Sequence, residues 1–371
     1  MHGWASLAER YGRLGLDRCL AAAIDAAERG VAVGASTAAS WQAEGGPDAL
    51  GPPPSVGQLI KIPELAQSLR RIAEDGPQAF YQGPIAEAIA AASWLEEADL
   101  TGYSPQWVEP LSVEYRDVTV CELPPPTQGI AALEALGLLS LGGATLPEQI
   151  ECIRLALEDA RTHVRDGRDV TRLIDPRRLN ARRSHAANDV AEPPGGTVYV
   201  CAVDSDGMAV SLIQSIYEHF GSGVIAPGTG IVLHNRGACF AVEGSVAPGR
   251  RPYHTIIPGM LLQDGQLLGP FGVVGGFMQA QGHVQVVSAL VDDRADPQTA
   301  LDRPRFRVDG TTVLLEDGLY ANKRKIEANG LTAVSRTGHS QLFGCGQIIV
   351  RLHDVLLGGS DARGDGHAGG R

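Results

Sequence analysis

The apolar residues in the first third of the chain recur every three to four positions between helix stop signals. One such segment runs from Asp17, a capping residue, to Gly30, a residue type that often ends helices. The same pattern follows Pro63 and Pro84, and proline is well tolerated in the first turn of a helix. This part of the chain therefore predicts amphipathic helices that pack on a core.

The pattern then changes to short runs that are typical of β-strands. Residues 111–115 and 118–123 are two such runs, and helical spacing returns over residues 130–139 and 147–164. The arginine-rich stretch 175–194 has no apolar period. We expect that stretch to be a long loop.

Residues 197–204 are apolar at both alternating sets of positions, which predicts a strand covered on both faces. A turn at residues 205–207 leads into a second strand that ends at Ser215, so the pair is predicted to be a hairpin. A three-residue loop places Thr197 opposite Ser215, whereas a two-residue loop places it opposite Gln214. Both registers remain open at this point, and both put a polar side chain beside Thr197.

Strands and glycine-rich connections dominate the rest of the chain. Gly275 and Gly276 lead into a predicted helix over residues 281–291. Residues 358–371 are predicted to form a flexible polar tail. Further strands are predicted over four segments: residues 230–233, 255–262, 311–315 and 347–352. Helices followed by central strands favour an α+β fold in which sheets lie between helical layers.

Charge and targeting signals narrow the functional classes. The 371-residue chain has 43 acidic and 31 basic residues, a formal net charge of −12, and no block of lysine or arginine. A protein of this kind lacks the basic surface that a phosphate backbone requires, so we expect no nucleic-acid partner. The apolar runs are too short for a membrane span, and the first residues lack the features of a secretory signal. We therefore expect a cytoplasmic protein without a membrane partner.

Cofactor and metal signatures are missing from the sequence. The six cysteines are scattered without a C-x-x-C pair, which favours buried, reduced thiols. The glycine-rich nucleotide motifs and the zinc-binding H-E-x-x-H motif do not occur. We expect an activity that needs neither a metal nor an organic cofactor.

The junction before Thr197 has the features of a self-cleaving peptide bond. Pro193 and Pro194 are followed by Gly195 and Gly196, and glycines permit strained backbone conformations. Attack of the threonine hydroxyl on the preceding carbonyl frees the α-amino group of Thr197, whose ordinary pKa of about 8 suits it as a base for its own hydroxyl. The simpler interpretation is that the glycines only begin a strand after a turn.

A set of stretches matches one known family in order along the chain. The matching stretches are residues 123–129, 197–207, 209–215, 220–223, 227–231, 251–252, 275–276, 303–306 and 358–361. On these residues the chain resembles the gamma-glutamyltransferase family. The resemblance implies an N-terminal nucleophile hydrolase, an αββα four-layer sandwich that is made as a proenzyme and cleaves itself.

The resemblance implies cleavage between Gly196 and Thr197. Residues 1–196 then correspond to the family's large subunit and residues 197–371 to its small subunit, and the two fragments stay together as a heterodimer in one sandwich domain. The resemblance also implies a hydrogen bond from Ser215 to the nucleophile Thr197. Gly275 and Gly276 would supply the backbone N–H groups that bind the oxyanion. The expected substrate is a small amide, and a higher oligomer of the heterodimer stays open.

The chain departs from gamma-glutamyltransferases where that family binds the glutamyl group. Tyr217, Arg236 and Cys239 stand in place of an Asn, a Gln and an Asp, and His254 and Thr255 replace a pair of serines. An arginine in place of a neutral side chain, with no acid at the third position, favours an anionic substrate over an α-amino acid. Arg236 is therefore predicted to bind a carboxylate, or else to brace a loop. His254 is predicted either to contact the substrate or to be structural.

Three functions remain open on the sequence. The first is hydrolysis or acyl transfer on gamma-glutamyl compounds such as glutathione. The second is an amidase of the family branch that includes oxamate amidohydrolase and cephalosporin-acylase-like proteins. Because the sequence begins at a point inside the family's large subunit, the third is an unprocessed and inactive relative.

Overall fold

The computed structural model describes residues 1–185, 187, 196–337 and 341–370. Gly195 and most of the end of the predicted 175–194 loop lie outside these residues. The helices are α1 (His2–Tyr11), α2 (Leu16–Arg29), α3 (Ala35–Glu44), α4 (Pro63–Asp75), α5 (Gln78–Tyr81), α6 (Pro84–Ala91), α7 (Glu97–Thr101), α8 (Gly129–Ser140), α9 (Leu146–His163), α10 (Pro176–Arg182), α11 (Phe240–Glu243), α12 (Met278–Val291), α13 (Pro297–Asp302) and α14 (Lys323–Glu327). The strands are β1 (Val31–Ala32), β2 (Leu59–Ile60), β3 (Leu111–Tyr115), β4 (Val118–Glu122), β5 (Gly196–Val203), β6 (Ala209–Tyr217), β7 (Ile225–Ala226), β8 (Ile231–Val232), β9 (Gly259–Gln263), β10 (Gln266–Val274), β11 (Phe306–Asp309), β12 (Thr312–Glu316), β13 (Thr332–Arg336), β14 (Cys345–Leu352) and β15 (Val355–Ser360).

One compact unit comprises residues 1–107 and 219–235 and is mainly helical. Pro63 and Pro84 open α4 and α6 as predicted, and Gly30 ends α2 with a φ of 102°. Asp17 was predicted to cap α2, but it lies in the first turn, and the capping position is Gly15. The buried faces of α2, α4 and α6 form the core of this unit. In the described part of the chain, no helix has both the length and the apolar composition to cross a membrane.

The other unit comprises residues 108–218 and 236–371 and is built on a six-stranded antiparallel sheet with the order β15-β14-β10-β9-β4-β3. Neighbouring residues of β10 show that both faces of this sheet are covered. A Cβ at Gly272 would meet the ring of Tyr199 in β5, whereas Val273 packs on Gly282 of α12. Because successive residues of a strand point to opposite faces, the hairpin lies on one face and helices on the other. The predicted α+β architecture is therefore observed.

The hairpin of β5 and β6 has the register of a three-residue loop. Val203 pairs with Ala209, and the pairing continues without a shift to Val198 and Gln214. The register then shifts, so that Gly196 pairs with Tyr217 and Thr197 lies in the irregularity. This irregularity turns the end of the hairpin at the peptide bond that precedes Thr197.

The prediction that β5 is covered on both faces is wrong. Tyr199 is 6% exposed, but Val198 and Val200 are 56% and 53% exposed. The inner face of the hairpin packs on the six-stranded sheet, and among the described residues of this unit the outer face remains open to solvent. Apolar residues at both alternating sets of positions therefore did not indicate that both faces of the strand are buried.

The prediction of a loop over residues 175–194 is also wrong in its first part, where α10 forms. The Asp175 carboxylate accepts hydrogen bonds from the backbone N–H groups of Arg177 and Arg178, which caps the helix. Arg178 bridges Glu134 of α8 and Asp159 of α9, with both N–O distances at 2.6 Å. Burial and the hydrogen bond to Asp159 raise the pKa of Glu134 to about 9. The polar contacts of Arg178 and the single buried side chain of Leu179 hold this helix, so hydrophobic periodicity did not reveal it.

The predicted polar tail over residues 358–371 is ordered and partly buried up to Arg363. Residues 358–360 belong to β15, and Asp361 and Arg363 are 2% and 4% exposed. Asp361 lies 2.7 Å from Arg305, and Arg363 donates to Glu316 at 2.8 Å. These buried ion pairs explain why a polar sequence is packed inside the protein.

Candidate active site

Thr197 lies at the start of β5, next to the first turn of α12. Its Oγ1 is 3.5 Å from Nε2 of Gln279, a fully buried side chain. Oε1 of Gln279 accepts the backbone N–H of Ile257 at 3.2 Å, which fixes the orientation of the amide. The amide nitrogen can only donate, so Gln279 orients the threonine oxygen but cannot take its proton.

Ser215 contacts the carbonyl group that precedes Thr197. Its Oγ lies 2.8 Å from the carbonyl oxygen of Gly196, 2.9 Å from the backbone nitrogen of Tyr217 and 2.8 Å from Nη2 of Arg236. The last two groups can only donate hydrogen bonds. The hydroxyl hydrogen of Ser215 is therefore directed at the Gly196 carbonyl.

Arg236 is the centre of the predicted substrate-binding residues and is only 5% exposed. Its Nη1 is 3.0 Å from Oγ1 of Thr255 and 3.7 Å from Sγ of Cys239, and its guanidinium lies 4.7 Å from the ring centroid of Tyr217. Burial raises the pKa of the Cys239 thiol, so this group stays neutral at pH 7. The structure thus places Tyr217, Cys239, Thr255 and Ser215 around one buried cation, the guanidinium of Arg236.

Tyr217 has a backbone conformation that non-glycine residues rarely adopt. Its φ is 80°, and it occupies the last position of β6, opposite Gly196. This conformation directs its N–H group to Ser215 and its ring to Arg236. Strained backbone of this kind is concentrated at functional sites. Glu218 follows it as an exposed carboxylate whose charge acts on both Tyr217 and Cys239.

Gly275 and Gly276 form the turn between β10 and α12, with φ values of 124° and 64°. The carbonyl oxygen of Gly276 accepts from Nε2 of Gln128 at 3.0 Å and from the N–H of Gln279 at 3.2 Å. Nε2 of Gln128 also donates to the carbonyl oxygen of Thr255 at 2.8 Å. Gln128 therefore links the glycine turn to the segment that carries Thr255. The turn also lies at the N-terminus of α12, where the helix dipole favours negative charge.

A buried pair supports this turn from the helical side. Nδ1 of His283 lies 2.5 Å from Oε1 of Glu122, and both side chains are completely buried. Nε2 of His283 accepts the N–H of Val273, two residues before Gly275, at 3.1 Å. Because Nε2 accepts, the ring proton is on Nδ1 and is donated to Glu122. Burial raises the pKa of Glu122.

The described contacts of His254 are structural. Its N–H donates to the carbonyl oxygen of Pro126 at 2.8 Å, and its own carbonyl oxygen accepts from the N–H of Gln128 at 2.9 Å. The ring Nδ1 lies 2.8 Å from the carbonyl oxygen of Pro252. His254 thereby holds the proline-rich loop beside Thr255, and a contact with substrate stays a prediction.

Sequence reasoning missed two glutamines, Gln128 and Gln279. Gln128 lies in the matched stretch 123–129, to which no role was given, and Gln279 follows Gly276 by three residues. Spacing from the glycine pair could have drawn attention to Gln279, because the first turn of a helix faces the preceding turn. Nothing in the local sequence relates Gln128 to Gly276.

The described residues hold no group of three or more His, Cys, Asp or Glu side chains placed to bind a metal. All six cysteines are free thiols; Cys152 and Cys239 are buried, and Cys19 is exposed. Burial raises the pKa of the Cys152 thiol to about 12 and that of Cys201 to about 11. These thiols are therefore protonated at neutral pH and are weak nucleophiles.

A family model described as gamma-glutamyltranspeptidase matches residues 1–371. The chain belongs to the gamma-glutamyltranspeptidase family. This membership confirms the resemblance found in the motifs, and the family is one of hydrolases and transferases of the N-terminal nucleophile type.

Two relatives are similar over most of the chain. The oxamate amidohydrolase proenzyme of Klebsiella pneumoniae subsp. pneumoniae is 33% identical over 356 residues, which cover 86% of this chain and 67% of the relative. The glutathione hydrolase-like YwrD proenzyme of Bacillus subtilis is 30% identical over 416 residues, which cover 99% of this chain and 79% of the relative. Both relatives are named proenzymes.

The cephalosporin acylase from Bacillus halodurans has a similar solved structure. It is 36% identical, and its superposition gives a TM-score of 0.91 with 99% of this chain and 76% of the acylase covered. The predicted α+β fold of the N-terminal nucleophile hydrolases is thereby confirmed. The names of the three similar proteins refer to different substrates, so similarity alone does not select one.

Proposed function

We propose that this protein is an amide hydrolase that cuts its own chain before Thr197 and then uses Thr197 as the nucleophile on a small amide bearing a carboxylate. The observation that carries the proposal is the position of Arg236. Its guanidinium is buried and is separated from the Gly196 carbonyl by a single serine hydroxyl. Substrate bound at that position would lie beside the threonine that attacks it.

The self-cleavage step follows from the groups at the junction. Thr197 Oγ1 attacks the carbonyl carbon of Gly196, the C–N bond breaks, and the hydroxyl proton ends on the released nitrogen of Thr197. The resulting ester between Gly196 and Thr197 is hydrolysed by one water molecule, which leaves a carboxylate on Gly196 and a free threonine. Ser215 donates to the carbonyl oxygen on which charge develops.

Turnover then uses the same threonine. The α-amino group of Thr197 accepts the proton of Oγ1, the oxygen attacks the substrate carbonyl, and the amine or ammonia leaves as an acyl-enzyme forms. Water attacks this ester and regenerates the enzyme, or a second amine takes the acyl group. The N–H groups of Gly275 and Gly276 are the proposed oxyanion donors, and Gln128 and Gln279 hold the turn that carries them.

The chemistry of the binding residues favours an anionic acyl group. A guanidinium matches the planar geometry of a carboxylate, and Tyr217, Cys239 and Thr255 add only neutral groups around it. An oxamate-like acid, with its carboxylate next to the amide, fits this arrangement. A gamma-glutamyl substrate is the second candidate, since the exposed carboxylate of Glu218 follows Tyr217 and can attract an α-ammonium group.

Intact mass and N-terminal sequencing of the purified protein test the self-cleavage. The 39.0 kDa chain should separate into two fragments, and the second should begin Thr-Val-Tyr-Val. A panel of oxamate, a gamma-glutamyl anilide, glutathione and acylated β-lactams then tests the substrate class through released ammonia or amine. Higher kcat/KM for oxamate supports the anionic substrate. An uncut chain without turnover contradicts the whole proposal.

A further inference from the structure

We propose that Arg236 promotes the self-cleavage of the precursor, acting through Ser215 on the Gly196 carbonyl, before it serves any substrate. This inference rests on the proposed function, because it concerns the same junction. It assigns to a predicted substrate-binding residue an earlier role in maturation. The contacts that support it belong to the uncut chain, in which Gly196 and Thr197 are still joined.

The hydrogen-bond directions at Ser215 leave a single arrangement. The Tyr217 N–H and Nη2 of Arg236 both point their hydrogens at Oγ, at 2.9 Å and 2.8 Å. Neither group can accept, so the hydroxyl must donate to the Gly196 carbonyl oxygen, which lies 2.8 Å away. The guanidinium, the hydroxyl and the scissile carbonyl thus form one directed chain of hydrogen bonds.

This chain ends at the oxygen that becomes negative during cleavage. When Thr197 Oγ1 bonds to the carbonyl carbon of Gly196, the π electron pair moves onto the carbonyl oxygen, and it returns as the C–N bond breaks. A hydroxyl whose own oxygen accepts from a cation is a stronger donor than an isolated hydroxyl. Because Arg236 is 5% exposed, water screens its charge only weakly at this distance.

The positions of Arg236 and Tyr217 are fixed by other contacts. Thr255 and Cys239 hold Nη1 of the guanidinium, and the ring of Tyr217 lies against it. The left-handed backbone of Tyr217, with a φ of 80°, supplies the second donor to Ser215. The donors are therefore in place before the reaction and need no reorganisation during it.

The same cation becomes a binding group after the cut. Hydrolysis of the ester ends the amide bond of Gly196 and leaves its carbonyl carbon as a carboxylate on a separate chain end. Once this chain end moves away, Ser215 and Arg236 face the amine and hydroxyl of Thr197, where a substrate carboxylate can bind. A residue that is proposed to select the substrate would in this way also speed the formation of the enzyme.

The rate of precursor cleavage, measured before any substrate is added, tests the proposal. Wild-type, Arg236→Gln and Ser215→Ala precursors are made by cell-free translation, and conversion of the full-length chain is followed by gel electrophoresis and mass spectrometry. We expect Ser215→Ala to cleave roughly 100- to 1000-fold more slowly, as for the loss of one direct oxyanion donor, and Arg236→Gln roughly 10- to 100-fold more slowly, because Arg236 acts through Ser215. Ser211→Ala is the matched control, because Ser211 lies on the same strand and contacts Tyr199 instead, and it should cleave at the wild-type rate.

Rescue distinguishes lost chemistry from lost folding. Methylguanidinium added to the Arg236→Ala precursor should raise its cleavage rate severalfold, whereas a misfolded chain would not respond. Should the Arg236 variants fail to fold, Ser215→Ala decides, and its cleavage at the wild-type rate would overturn the proposal. So would an Arg236→Gln precursor that matures normally but shows a raised KM. If the wild-type chain itself is never cut, the proposed function fails, and that result is distinct from these.

Discussion

The two sides of the site are built from different kinds of groups. On the nucleophile side, Oγ1 of Thr197 contacts the neutral amide of Gln279, and the amide of Gln128 binds the carbonyl oxygen of Gly276 in the glycine turn. On the recognition side a buried cation, Arg236, is surrounded by Tyr217 and small polar side chains. In the proposed function, neutral groups hold the reacting threonine, whereas one charge serves both the cleavage of the precursor and the choice of substrate.

The physical reason is the cost of burial. A buried amide whose hydrogen bonds are satisfied carries no net charge, so it can hold a turn without attracting or repelling a charged acyl group. A buried charge interacts strongly with whatever group is brought near it. In the proposed function, a change of charge on the recognition side is therefore expected to change the preferred substrate.

The largest effect is expected at the nucleophile. Thr197→Ala removes the attacking oxygen, so the precursor should remain at full length and turnover should fall on the order of 10⁴-fold or more. Intact mass and amide hydrolysis measure the two losses. Thr119→Ala, on a half-buried position of β4 where the hydroxyl contacts Glu114, is the control and should be cut normally. Any cleavage at residue 197 in the alanine variant would contradict the assignment.

A smaller loss of activity is expected when a hydrogen bond to Thr197 is removed and Thr197 itself is kept. Gln279→Leu keeps the size of the side chain but removes the donor to Thr197 and the acceptor of the Ile257 N–H. We expect kcat to fall by about 10- to 100-fold with little change in KM, because the effect is on the reacting groups. Steady-state kinetics of processed enzyme provide the measurement, with Gln263→Leu, at the half-buried end of β9, as the control. A change confined to KM would mean that Gln279 acts in substrate binding and not on the reacting groups.

The recognition side can be broken by restoring an acid beside the cation. Cys239 stands in place of an Asp of gamma-glutamyltransferases, and Cys239→Asp restores that carboxylate. The new carboxylate should pair with Arg236, whose Nη1 contacts Sγ of Cys239. We expect the ratio of kcat/KM for a gamma-glutamyl anilide over oxamate to rise about tenfold, which corresponds to roughly 1.4 kcal/mol. Cys239→Ser controls for the loss of the thiol. An unchanged ratio would show that charge at this position does not select the substrate.

The smallest effect concerns the α10 anchor, which lies outside both sides of the site. The pKa of Glu134 is raised to about 9, so the folded protein retains a proton that the unfolded chain releases above about pH 4.3. The free energy of unfolding should therefore decrease as the pH rises from about 5 to 9. Glu134→Gln, which cannot ionise, should flatten this dependence.

Chemical denaturation at several pH values measures the effect at Glu134. Glu74→Gln, on the exposed face of α4, should leave the slope as it is in the wild type. The kcat of the processed Glu134 variant should stay near that of the wild type, because α10 does not contact the reacting groups. A variant with the same slope as the wild type would mean that Glu134 is ionised in the folded protein.

Local patterns predicted what depends on local geometry. The proline-initiated helices and the hairpin follow from turn chemistry and periodicity, and they are observed. The sequence left two loop lengths open for the hairpin, and the structure has the three-residue loop. The anchor of α10 and the buried Asp361 and Arg363 were missed, because ion pairs between distant residues leave no periodic trace. Gln128 was missed for the same reason, since it meets Gly276 across 148 positions of sequence. The contact of Arg236 with Ser215 likewise needed the structure.

The six-stranded sheet has a consequence for refolding. Strands β3 and β4 precede the expected cut and β9, β10, β14 and β15 follow it, and β4 is joined to β9 through three paired residues. After the cut, two separate polypeptides share one hydrogen-bonded sheet and one core. Unfolding then becomes dissociation, so recovery after denaturation should depend on protein concentration in the mature form but not in the precursor. The mature enzyme would thus have to refold from two separate polypeptides, although it first folded as one chain.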